Sequence, residues 1–177
     1  IAADTAVRLG TADLTADQGE GRDMTLEHLK RMVEHDRWAN RQISDALQSL
    51  NVESPQRLAH LINAEFGWLG RVSGEDPSYH RLPEDASLDD CAAALDKLDR
   101  TWATVLDGLD ELGLERDVEY GPSEGPTSRN TIRDILTHVL MHSHYHRGQI
   151  AQAIRRGGGE PPVIDFIAWR RQQQQSA

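Results

Sequence analysis

Four long segments of this 177-residue chain repeat apolar residues every three to four positions, which is the spacing of one face of an α-helix. We predict the corresponding helices at residues 25–50, 54–72, 87–112 and 131–156. A serine opens the second and third segments, and three glycines follow the fourth, as is typical of helix caps. Each helix must bury its apolar face against the others, so the pattern predicts an all-α fold, a four-helix bundle.

The segments outside these helices predict smaller elements around the bundle. Residues 114–130 alternate weakly and contain two Gly-Pro pairs, which indicates a short hairpin or an irregular crossover before the last long helix. Residues 163–170 predict a short C-terminal helix, and 171–177 form a polar, Gln-rich tail. Residues 1–23 are polar and acidic without periodicity, and we interpret them as an N-terminal extension. The bundle domain is therefore placed at residues 24–170.

The charge balance excludes some classes of partner. Acidic residues outnumber basic ones by 29 to 19, which gives a formal net charge of −10. Such a chain is not expected to bind nucleic acid or an anionic membrane, because both need a basic surface. No apolar run approaches the roughly 18–20 residues that span a bilayer. The single cysteine, Cys91, lies on an apolar helical stripe and is expected to pack in the core, and we expect a cytoplasmic protein.

Four of the eight histidines fall within nine residues of the last long helix. On a helical wheel with Val139 at zero, His146 lies at about 20° and His142 at about 60°, inside or beside the apolar stripe. His138 lies near the edge at about 100°, and His144 faces the opposite side. The spacing therefore predicts that His142 and His146 project into the bundle interior, where an i, i+4 pair can reach one cation. The other interpretation, two hydrogen-bonded core histidines, is equally open on spacing alone.

A third ligand must come from another helix. His60 lies midway along the second helix at the edge of its apolar stripe. Its neighbours on that side of the helix, Ala64 and Gly67, are small and leave room for a bound group. On this evidence His60 is either a ligand or an ordinary boundary histidine. The other histidines, His28, His35 and His80, are expected to be exposed. Asp36 falls on the inward stripe of the first helix, so it is either a buried structural carboxylate or a group that orients a ligand histidine.

Several segments resemble the DinB-like family of metal-binding four-helix bundles. The strongest is residues 138–149, which read HVLMHSHYHRGQ. Three more follow the family in order: DRWAN at 36–40, HLINAE at 60–65, and EPPVIDFI at 160–167. Carried over by position, the resemblance implies His60, His142 and His146 as the metal ligands, while His138 matches a common family residue that is not usually a ligand. The chain departs from the family by having Tyr145 immediately before the last ligand and a histidine at position 144.

The resemblance also implies a function. Its best-understood relatives are enzymes that use bacillithiol or mycothiol, low-molecular-weight thiols, for S-transfer or isomerisation. The resemblance thus implies a metal-dependent S-transferase that detoxifies a small electrophile, with zinc or nickel as the first candidates for the divalent metal. A metal-dependent hydrolase and a non-catalytic metal-binding bundle are the alternatives, and no catalytic residue beyond the metal site is assigned. The family also implies a homodimer.

Overall fold

A computed structural model describes residues 25–50, 55–75, 80–121 and 126–175. The long helices are α1 (Leu26–Leu50), α2 (Pro55–Ser73), α3 (Leu88–Asp107) and, after three short elements, α5 (Ile132–Arg156). The short elements are a one-turn helix α4 (Glu111–Leu114) and two strands, β1 (Asp117–Tyr120) and β2 (Ser128–Thr131), and a final helix α6 (Phe166–Gln175) ends the described chain. The prediction of an all-α bundle is confirmed.

The order of the helices around the bundle determines which of them can share a site. α5 packs against α1 on one side and against α2 on the other, and α3 also packs against both α1 and α2. The strands β1 and β2 form an antiparallel hairpin in which Val118 pairs with Asn130. This hairpin settles the open alternative for residues 114–130. Side chains from α2 and α5 therefore meet along one face of the bundle, and those from α1 and α5 along another.

Local capping explains where the helices begin. Ser87 caps α3, because its Oγ accepts a hydrogen bond from the Asp90 amide while the Asp90 carboxylate accepts from the Ser87 amide. Thr131 caps α5 in the same way, with its Oγ1 accepting from the Asp134 amide at 3.1 Å. The cap at Thr131 fixes where α5 starts and hence the position of its histidines along the axis of the bundle.

Two predicted helix ends are wrong. α3 ends at Asp107 rather than continuing to residue 112, because Gly108 caps it and Asp110 caps the separate turn α4. The C-terminal helix begins at Phe166, after the extended Pro161-Pro162 segment, and runs to Gln175, so residues 171–175 of the predicted tail are helical. The predicted extension at 1–23 lies outside the described residues.

The interior of the bundle is apolar along most of its length, with buried residues from all four long helices. It also encloses a group of polar side chains near its middle, which are Asp36, Asn40, Glu65, Ser143 and Arg147. None of the helices in the described ranges has both the length and the apolar content needed to cross a membrane.

Candidate metal centre

The structure brings His60, His142 and His146 together, one from α2 and two from α5. Their candidate ligand atoms all lie within 4.8 Å of one another. The Nε2 atoms of His142 and His146 are 3.1 Å apart, and the ring centroids of His60 and His146 are 4.6 Å apart. Two nitrogens that bind one tetrahedral Zn²⁺ at about 2.1 Å are about 3.4 Å from each other. Small ring rotations therefore suffice to place three nitrogens around one ion.

These histidines lie nearer the surface than the helical wheel predicts. His142 and His146 are half-buried and His60 is exposed, so the expectation that the pair projects into the bundle interior is wrong. The wheel was centred on apolar residues alone, whereas Ser143 and Arg147 are also buried. Together with Leu136, Leu140 and Ile154, which are buried too, they centre the buried face of α5 roughly 40° from Val139, on the side away from the histidines. The group consequently opens at the surface between α2 and α5.

The surroundings of the rings favour the neutral imidazole that a metal requires. Burial lowers the pKa of His142, and the neighbouring His146, His138 and His60 lower it further. Burial also lowers the pKa of His146, helped by His60 and opposed by a hydrogen bond with Gln149. Three clustered nitrogen donors without a counter-charge of their own suit a divalent cation of borderline softness.

An aromatic group extends the site toward the hairpin. The ring of His138 contacts Trp68 edge to face at 5.0 Å and lies 5.8 Å from the ring of His142. Trp68 in turn contacts Tyr120 of β1 at 5.2 Å, with the guanidinium of Arg71 4.7 Å above the indole. His138 therefore packs beside the ligand group and is not one of its members.

Directly beneath the histidines, the buried polar side chains form one connected network, here called the polar core cluster: Asp36, Asn40, Glu65, Ser143 and Arg147. Arg147 Nη1 donates to Asp36 Oδ1 at 2.6 Å and to Asn40 Oδ1 at 2.7 Å. Asn40 Nδ2 and Ser143 Oγ donate to Glu65 Oε1 at 2.9 and 2.8 Å. Because Ser143 follows His142 and Arg147 follows His146, this network fixes the rotation of α5 and with it the direction of both rings.

The Glu65 carboxyl is buried among these donors. Burial raises its pKa to about 8, and the nearby charge of Asp36 adds to the effect, while hydrogen bonds from Trp102 and Ser143 oppose it. The indole of Trp102 in α3 donates to Glu65 Oε2 at 2.8 Å. The cluster thus contains one ion pair, Asp36 with Arg147, and one acid with a raised pKa, and it ties α1, α2, α3 and α5 together.

Asp36 reaches the ligand histidines only indirectly. Its carboxylate accepts from Arg147 and Asn40, a guanidinium and an amide, rather than from a ligand imidazole. Sequence analysis singled out Asp36 but missed Asn40, Ser143 and Arg147. A polar residue four positions after Asp36, and two more on the inward stripe of α5, were the signals that could have revealed the cluster.

The remaining histidines and the cysteine lie apart from the metal centre. His144 is exposed on the opposite side of α5. His35 is buried, with Nε2 2.8 Å from the carbonyl oxygen of Ile164, so its predicted exposure is wrong: the C-terminal segment folds over it. Cys91 is fully buried, as predicted, and burial raises the pKa of its thiol to about 11, which leaves it unreactive.

A polar cleft of about 690 Å³ adjoins the metal centre, with His60 in its wall. Gln56, Asn63, Arg81 and Glu84 also line it. Asn63 holds the far wall in place, because its side-chain amide donates to the Leu82 carbonyl at 3.1 Å and accepts from the Leu82 amide at 2.7 Å. A small molecule in this cleft would therefore lie against the exposed imidazole of His60.

Comparison with known proteins agrees with this architecture. The model of the DinB family matches residues 24–176. Among curated proteins, Protein DinB of Bacillus subtilis (strain 168) is 25% identical over 166 residues, which cover 77% of this chain and 90% of that protein. The match spans all four long helices and includes His60, His142 and His146. The chain belongs to the DinB family.

Proposed function

We propose that the protein binds one divalent metal ion through His60, His142 and His146 and uses it to activate a low-molecular-weight thiol for transfer to a small electrophile. The observation that supports this most directly is the convergence of three imidazole groups within 4.8 Å at the edge of a polar cleft. Three protein ligands leave a coordination position for an exogenous group, which is typical of catalytic rather than structural sites.

Each ligand has a separate part in this proposal. His142 and His146, held by the polar core cluster beneath them, provide a fixed pair of nitrogens from α5, and His60 completes the set from α2. When bound, a divalent ion lowers the pKa of a thiol or water molecule that coordinates it, and so supplies a nucleophile at neutral pH. The exposed position of His60 leaves the ligand group accessible from the cleft.

The chemistry of the cleft favours a hydrophilic thiol such as bacillithiol or mycothiol. Gln56 and Asn63 offer amide groups, and the exposed Arg81 offers a positive charge to an anionic substituent. No carboxylate in the described part of the chain belongs to the ligand group. A thiol bound to a metal needs no general base, whereas hydrolysis by water is helped by one.

A metal-dependent hydrolase is the second candidate because Glu84 lines the same cleft as His60. An exposed carboxylate beside a metal site can act as the general base that hydrolysis requires. Under this alternative, Glu84→Gln abolishes ester hydrolysis, while under thiol transfer the same variant keeps most of its activity.

The test uses tag-free protein loaded with zinc or nickel, chlorodinitrobenzene as electrophile, and bacillithiol, mycothiol or cysteine as thiol. The thiol sulfur bonds to the ring carbon, chloride leaves, and the thiol proton passes to solvent. We expect metal-dependent turnover that His60→Ala abolishes and His144→Ala, an exposed histidine outside the ligand group, leaves intact. No rate above background with any thiol, together with hydrolysis of a nitrophenyl ester, would favour the hydrolase. Bound metal without either activity would leave a non-catalytic metal-binding bundle.

A further inference from the structure

A second cleft, of about 430 Å³, lies between α1, α5 and residues 164–166. The wall that α5 contributes includes Leu140, His144 and Arg147. On the helical wheel these point about 150° away from the mean direction of His142 and His146. This cavity, here called the α1–α5 cleft, is therefore separate from the metal centre and from the polar cleft beside His60. Its volume is within the range of small-molecule sites.

The sides of the α1–α5 cleft are apolar and are held in place. Its apolar lining residues are Met32, Leu140, Met141, Ile164 and Phe166. The segment that closes it is fixed through His35, whose Nε2 contacts the Ile164 carbonyl and whose ring contacts Phe166 edge to face at 5.3 Å. Burial lowers the pKa of His35, so this closing contact is made by a neutral imidazole. The cleft is thus a formed cavity that favours an apolar body.

The floor of the cleft carries a donor without a partner. Arg147 lines the cleft and is 2% exposed. Its Nη1 is used by Asp36 and Asn40, but its Nε is buried and has no hydrogen-bond partner within the described ranges. An unpaired buried donor is costly, and such an exception to the usual pairing of buried polar groups calls for an explanation. An acceptor oxygen brought in by a ligand would provide the missing partner.

The charges around the floor decide which kind of oxygen fits. Asp36 already neutralises Arg147 through a buried ion pair, and Asp165 adds a carboxylate to the wall. An anionic ligand would meet these two carboxylates against one guanidinium, whereas an uncharged carbonyl accepts a hydrogen bond without that repulsion.

We propose that the α1–α5 cleft binds a small apolar molecule that carries an uncharged acceptor oxygen, with the oxygen on the Arg147 guanidinium and the apolar body against Met32, Leu140 and Phe166. The proposal does not depend on the function of the metal centre. The ligand class is that of medium-sized ketones, esters or amides.

The test titrates the full-length protein with 2-octanone and with octanoate while the guanidinium N–H resonances of Arg147 are followed by NMR. We expect saturable binding of the ketone with a shift of the Arg147 resonances, and at least tenfold weaker binding of octanoate. Met32→Trp, which fills the cleft without touching the polar core cluster, should weaken ketone binding at least tenfold. His60→Ala should leave it unchanged, which separates this site from the metal centre.

Several results would overturn the proposal. These are the absence of saturable ketone binding, equal binding of octanoate, binding that leaves the Arg147 resonances unmoved, and binding that Met32→Trp does not weaken. Binding that appears only after removal of residues 1–24 would instead assign the cleft to the chain's own N-terminal segment. If Met32→Trp does not fold, the Arg147 shift and the comparison of ketone with octanoate in the unmodified protein still decide the question.

Discussion

Ser143 and Arg147, each the neighbour of a proposed metal ligand, determine where those ligands lie. Both side chains are buried and donate hydrogen bonds to acids on other helices, Ser143 to Glu65 and Arg147 to Asp36. This turns His142 and His146 toward the groove with α2, where His60 meets them. The identity of the three histidines could be predicted from their spacing and from the family motifs. Their depth was predicted wrongly, because a wheel centred on Val139 leaves out the buried Leu136, Leu140, Ser143 and Arg147 on one side of the stripe.

Removal of one imidazole should sharply weaken metal binding. We expect His60→Ala to lower the affinity for Zn²⁺ by at least about 100-fold, because two ligands on one helix cannot enclose the ion. Even the loss of a residue that only hydrogen-bonds a metal ligand lowers metal affinity by about 10–100-fold. Competitive titration against a chromophoric chelator measures this. His144→Ala is the matched control and should bind as the unmodified protein does. Equal affinity in both variants would show that His60 is not a ligand.

The raised pKa of Glu65 makes stability depend on pH in a defined direction. Its folded-state pKa of about 8 lies above the ordinary value of 4.5, so its contribution to stability is complete below pH 4.5 and is lost as the pH rises toward 8. The free energy of unfolding should fall over this range by at most about 1.4 kcal/mol per pH unit relative to Glu65→Gln. Denaturant titrations between pH 6 and 8 test this, and parallel profiles for the two proteins would contradict it.

At the scale of elements, the sequence predicts the helices better than their ends. Capping residues mark the starts of α3 and α5, and both starts are predicted correctly. The end of α3 is missed because the apolar stripe continues past Gly108 into α4, so periodicity alone shows no break. The segment 80–84, which forms one wall of the polar cleft, has no periodicity and could not be placed from the sequence.

That wall depends on one side chain of α2. Asn63→Ala removes both hydrogen bonds to Leu82, so we expect the Leu82 amide to exchange with solvent about tenfold faster, which corresponds to the loss of roughly 1.4 kcal/mol of local stability. Hydrogen exchange followed by NMR measures the change. Gln56→Ala, at an exposed position in the same cleft, is the control and should leave Leu82 unaffected. An unchanged Leu82 amide in Asn63→Ala would show that other contacts hold the wall.

On the scale of the whole molecule, the candidate metal centre joins two helices that are separated along the sequence. An ion held by His60 of α2 and the pair from α5 exists only in the folded bundle, so binding must add to global stability. The family and its bundle could be predicted from motifs, while the α1–α5 cleft could not, because it depends on how residues 164–166 fold over His35. The homodimer implied by the family stays a prediction.

Metal should therefore raise the thermal stability of the protein. With free Zn²⁺ at 100 times its dissociation constant, we expect about 2.7 kcal/mol of added stability and a higher Tm. Differential scanning calorimetry with and without a chelator measures the difference. The double variant His142→Ala/His146→Ala should lose the response, and a Tm that ignores both zinc and chelator would contradict the proposed site.

Anomalous X-ray scattering at the absorption edge of the metal tests the central claim most directly. In crystals of tag-free protein grown with Zn²⁺ or Ni²⁺, we predict one strong peak between α2 and α5. The peak should lie about 2.0–2.1 Å from one nitrogen each of His60, His142 and His146. A peak held by other residues, or ordered imidazoles with no anomalous peak between them, would contradict the account.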